Sequence, residues 1–166
     1  MILTLFVYII FVARERGVNM PTTTPATPAS LDNFPAASLR HYHDGAVLHT
    51  AGCSENALCH YAFSVECAQK AFLFWRYPMP RHCKLHSVTS SEVSKCMLAW
   101  ATLDGALSAT LPTASLPPKL MEDHPSRRYR KRFPVSGQEL ENCKTYAASM
   151  EQNVITMILD GLIQVK

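Results

Sequence analysis

Apolar residues recur at three- and four-residue spacing in four stretches of the chain, the period of a helix with one buried face. The first stretch covers about residues 35–51, with Leu39, Tyr42, Ala46 and Leu48 or His49 near one face. Pro35 suits its first turn and Gly52 its exit. The second, 54–76, is the clearest: Leu58, Tyr61, Val65, Ala68, Phe72 and Trp75 form the stripe. Ala57, Ala62 and Ala71 beside it let a neighbouring helix approach closely, and Ser54 is the candidate N-cap, with Glu55 in the first turn. Pro78 and Pro80 end the stretch, since each disfavours a helical residue before it. The third, 89–109, opens on a capping-box pattern, Thr89-x-x-Glu92, and carries Val93, Cys96, Met97, Trp100, Leu103 and Leu107. The fourth, 136–163, opens on a second such pattern, Ser136-x-x-Glu139, and carries Leu140, Cys143, Ala147, Met150, Val154, Ile158 and Leu162. No stretch alternates as a half-buried strand does. The expected fold is all-α, an antiparallel four-helix bundle with short links except one.

The exception is the connection from Thr110 to Val135, with five prolines among its 26 residues. Connections of that length are usually functional or mobile. Before the first helix, Met20 to Leu31 holds three prolines and four threonines and reads as an extended leader. Met1 to Val12 is almost wholly apolar, too short to span a bilayer comfortably, and neither preceded by a basic segment nor followed by a signal-peptidase pattern. A weak anchor and a start codon upstream of a natural start at Met20 are the two readings; the second is preferred, with no stable membrane insertion. The chain thus divides into a leader, 1–33, and a helical domain, 34–166.

Hydrophobic residues make up 48% of the sequence and charged residues 17%, which excludes a disordered chain. The net charge of +3 permits an anionic partner without demanding one. Six cysteines stand at 53, 59, 67, 83, 96 and 143 without a Cys-x-x-Cys pair. Four lie in helical patterns, where a thiol acts as a small apolar residue, so reduced cysteines in a cytoplasmic protein are expected. Five of the 16 Lys and Arg residues fall in one run, Arg127, Arg128, Arg130, Lys131 and Arg132, with Tyr129 and Phe133 interleaved. Such a run either grips phosphates and stacks on unpaired bases or is a solvated loop.

The segments His41-Tyr42-His43-Asp44-Gly45-Ala46, Leu48, Gly52, Asn56-Ala57, Val65-Glu66-Cys67-Ala68 and Lys70-Ala71, then Arg128-Tyr129 and Ile158-Leu159-Asp160-Gly161, stand in the order of a known pattern. Together they resemble the HEPN family (higher eukaryotes and prokaryotes nucleotide-binding). The similarity covers about 130 residues and is most specific in the second helix. It implies a metal-independent endoribonuclease of toxin–antitoxin or defence type, acting as a homodimer without a cofactor. Its motif would be Arg81-His82-Cys83-Lys84-Leu85-His86, an Arg-x4-His between the second and third helices.

The chemistry fits those residue types. Attack by a 2′-hydroxyl needs a base and an acid, roles that suit the histidine side chain as a type, and His86 is the candidate. Arg81 offers a planar fork to the phosphate, and His82 is a helper. Glu66 and Lys70, four apart, either stabilise their helix as a pair or orient the motif from behind. A zinc site built on His82, Cys83 and His86 lacks an acidic ligand and paired cysteines, so no metal is expected. The alternative function is a non-catalytic HEPN interaction module working with a partner such as a nucleotidyltransferase, and a ribonuclease would have a cognate antitoxin.

Overall fold

The structure is a computed structural model that describes residues 33–77 and 90–165. Among them are α1 (Phe34–Thr50), α2 (Ser54–Arg76), α3 (Ser90–Ala101), two short helices α4 (Gly105–Ser108) and α5 (Pro118–Met121), and α6 (Gly137–Leu159). A 3₁₀ turn, Ser126–Tyr129, lies between α5 and α6. The described residues contain no strand, so the chain is helical as the apolar spacing predicts.

Asn33 starts α1: its side chain accepts from the Ala36 amide at 3.0 Å, with Pro35 in the first turn. Gly52, at φ +76°, turns the chain out, and α2 returns along α1. Small residues let the two helices close. Ser38 and Gly45 are the buried residues of α1, and Ser38 Oγ donates to the Ser64 carbonyl at 2.9 Å. A Cβ at Gly45 would stand 2.8 Å from two ring carbons of Tyr61.

α2 packs on every other helix, and its stripe of Leu58, Tyr61, Val65, Ala68 and Phe72 is buried as expected. Against it lie Val93 and Met97 of α3, Leu107, Leu120, and Leu140, Cys143, Ala147, Met150 and Val154 of α6. The cap of α2 differs from expectation: Cys53 holds the N-cap position without a side-chain hydrogen bond, and Ser54 is the first helical residue.

The third expected helix breaks in two. α3 ends at Ala101 because Asp104 accepts from the amides of Ala106 and Leu107 and so begins α4. Leu103 falls in the break and is 81% exposed, outside the core. The fourth begins with the capping box of Ser136 and Glu139, then ends at Leu159 rather than 163. Gly161, at φ +71°, reverses the chain there, so Ile163 enters the core while Leu162 stays 47% exposed.

Candidate functional site

Arg81, His82 and His86 lie outside the described residues, and so does the Cys83 of the weighed zinc site. The two shoulders of that segment are described. At the first, Arg76 pairs with Asp104, and Tyr77 donates to the same carboxylate oxygen at 2.8 Å. Those bonds, with the amides of Ala106 and Leu107, hold the Asp104 carboxyl at about 2. Tyr77 also packs on Trp100 at 4.8 Å between ring centroids. Nearer the second shoulder, Ser94 Oγ donates to Gln69 Oε1 at 2.7 Å in the core, joining α3 to α2. α2 and α3, which precede and follow the Arg-x4-His segment in the sequence, are therefore fixed to each other.

Glu66 and Lys70 are partners, but within a larger buried chain of polar groups. One Glu66 oxygen accepts from Lys70, whose side chain is 3% exposed, and the other lies 3.0 Å from His124 Nε2. Arg127 Nη2 stands 3.4 Å from His124 Nδ1. Burial first of all pushes the His124 pKa down, with Arg127 and Arg128 acting the same way against Glu66. A neutral imidazole with its proton on Nε2 satisfies both neighbours, donating to Glu66 and accepting from Arg127. His124 is the member that helical spacing does not reveal: it sits in the proline-rich connection, far from Glu66 in sequence.

Arg127 departs from its expected place in an exposed basic run. It is 2% exposed, and its guanidinium donates to the carbonyls of Lys119 at 2.6 Å, Glu122 at 3.2 Å and Leu120 at 3.0 Å. Those carbonyls belong to α5 and its exit. A planar cation with five donors is what several converging buried carbonyls require, so this arginine pins the connection instead of facing solvent.

Phe133 also turns inward, 5% exposed and part of the core, while Arg128, Tyr129, Arg130, Lys131 and Arg132 face outward. The Arg128 guanidinium lies 4.7 Å over the Tyr129 ring and 5.5 Å over Phe63, and Tyr129 is 78% exposed. Arg130 pairs with Asp123 at 2.6 Å, and Lys131 and Arg132 are exposed. Phe63 in turn packs edge-on against His124 at 4.5 Å. The buried chain thus fixes the loop, and the fixed loop presents four cations and one aromatic ring at the surface.

No disulfide joins the described cysteines: Cys53, Cys59, Cys67, Cys96 and Cys143 are thiols. Burial pushes Cys67 and Cys143 up to about 11, so neither is a thiolate at neutral pH. One group among the described residues, His41, Asp44 and His60, has the donor types to hold a metal ion, although no metal was expected from the sequence. No helix among the described residues is long and apolar enough to cross a membrane. Comparison with protein families, with curated proteins and with solved structures finds no match for this chain.

Proposed function

We propose that the chain is a HEPN-like antiparallel four-helix bundle that binds single-stranded RNA and cleaves it as a homodimer in the cytoplasm. The observation that carries the RNA reading is the exposed Arg128–Tyr129 stack with Arg130, Lys131 and Arg132 alongside. Cations neutralise phosphates, and an exposed ring stacks on unpaired bases whatever their sequence. Cleavage rests on the Arg81-x4-His86 spacing between α2 and α3. Arg81 would steady the charge on the phosphate and His86 would move a proton, with His82 assisting; in a dimer one His86 acts as base and the other as acid. No metal takes part at the reacting atoms.

The test is a cleavage assay on RNA and matched DNA. His86→Ala is expected to lower RNA cleavage by about 100- to 10,000-fold, and Arg81→Lys to rescue poorly, because an ammonium lacks the bidentate fork. EDTA leaves activity intact, the products end in a 2′,3′-cyclic phosphate, and DNA resists for want of the attacking hydroxyl. Activity lost with EDTA, or equal cleavage of DNA, would overturn the mechanism.

One observation favours a second reading, a non-catalytic module that docks a partner such as an antitoxin or nucleotidyltransferase. Glu66, Lys70, His124 and Arg127 hold one another or backbone carbonyls, as groups kept for structure do. A folded dimer that cuts no RNA would select that reading.

A further inference from the structure

Where α1 meets α2, a second cluster of ionisable groups lies outside the proposed RNA chemistry. His41 and Asp44, three apart on α1, share a helix face, and His60 faces them from α2. His41 Nδ1 and His60 Nδ1 are 3.4 Å apart, and His60 Nδ1 is 3.7 Å from Asp44 Oδ2. One donor atom from each residue lies within 4.8 Å of the other two. All three residues are half-buried, so ions in solution reach them.

The His41–His60 contact is a hydrogen bond at the long end of the range, and the His60–Asp44 separation exceeds it. Most such bonds close at about 2.7–3.2 Å, and a single proton on His60 Nδ1 serves only one of its two neighbours. The spacings match a metal ion better. Two nitrogens each about 2.0–2.1 Å from a tetrahedral zinc ion stand about 3.4 Å from each other. The Asp44 side chain is 42% exposed and has room to rotate inward. The His41 ring packs on Phe63 at 5.3 Å and on His60 at 5.4 Å, which fixes its plane.

We propose that His41, Asp44 and His60 bind one zinc ion, with water in the fourth position, and that the ion staples α1 to α2. Two imidazoles and a carboxylate without a thiolate are a borderline donor set that suits zinc. An ion that bridges two helices of the folded chain stabilises it by mass action, because the unfolded chain does not bring the three ligands together. The site draws on none of Arg81, His82 and His86, and the proposal does not depend on the RNA reading.

The experiment uses the full chain, stripped with EDTA and dialysed, then titrated with zinc sulfate against a chromophoric chelator. Wild type is expected to take up one zinc equivalent that His60→Ala and His41→Ala lose, while Asp44→Asn weakens binding at least about tenfold. Zinc should raise the melting temperature of wild type and leave that of His60→Ala unmoved. Circular dichroism checks that each variant folds, as half-exposed side chains allow. Cobalt(II) in place of zinc should show the visible bands of a tetrahedral ion without a thiolate charge-transfer band. No uptake by wild type, uptake indifferent to all three substitutions, or a thiolate band would overturn the proposal. So would uptake that His86→Ala abolishes and His60→Ala does not.

Discussion

His124 shows at the scale of one residue how burial sets a pH response. Its ordinary value is 6.5 and burial lowers it in the folded chain, against the pull of Glu66. Below 6.5 the unfolded chain takes up a proton that the folded chain resists, so the unfolded state binds more protons and stability falls as the pH falls. The His124 share of stability is thus full above 6.5 and is lost as pH drops from there towards its folded value. Urea unfolding followed between pH 7.5 and about 5 should show the midpoint falling, and His124→Gln should flatten that fall. An equal slope in both chains would mean that His124 is not held neutral. This residue was not legible in the sequence. Its partner Glu66 lies on α2, and neither helical periodicity nor turn chemistry ties a loop histidine to a distant carboxylate. The Glu66–Lys70 pair was legible, because spacing of four puts two side chains on one face.

Elements were read best where one physical rule sufficed. α2 begins and ends at the expected positions, 54 and 76, because a long stripe and a proline boundary agree. The capping box of α6 needed only Ser136 and Glu139. Reading failed where a local competitor broke a continuing pattern: Asp104 captured two amides and split the third helix, and Gly161 stopped the fourth. The expectation for α1 named its larger apolar residues, whereas its closest approach to α2 is made by Ser38 and Gly45, which no hydrophobic count selects. That contact is testable. Gly45→Ala would drive a methyl group to 2.8 Å from the buried Tyr61 ring, and overpacking of this kind costs about 1–3 kcal/mol. The helix itself gains from alanine by roughly 0.5–1 kcal/mol, so net destabilisation in a urea titration would show that the helix contact dominates. Gly137→Ala, where a Cβ meets nothing within 4 Å, is the control and should not destabilise.

Across the whole molecule, the proline-rich connection is the feature that composition described least well. Its length suggested a functional or mobile segment, and its basic run suggested residues that together grip phosphates or are together solvated. Instead Arg127 turns inward onto three carbonyls while Arg128, Arg130, Lys131 and Arg132 turn out. Two sets of substitutions should therefore behave in opposite ways. Replacing the four outward residues with Ala should weaken RNA binding and flatten its salt dependence, since each lost phosphate contact removes roughly one unit of salt slope, with the fold intact. Arg127→Ala should instead lower stability, by roughly 1–3 kcal/mol for each buried carbonyl left without its donor. Filter binding across a salt series and chemical denaturation separate the two; an unchanged salt slope would mark the outward residues as merely solvated. The inward turn of Arg127 also bears on how a protease meets the chain. Trypsin must draw a basic side chain into a deep acidic pocket, so it should nick the native protein after Arg128, Arg130, Lys131 or Arg132 and pass over Arg127. The piece bearing α6 should stay seated on α2 after the nick, held by Cys143, Ala147 and Met150, and the halves should part only when denaturant is added.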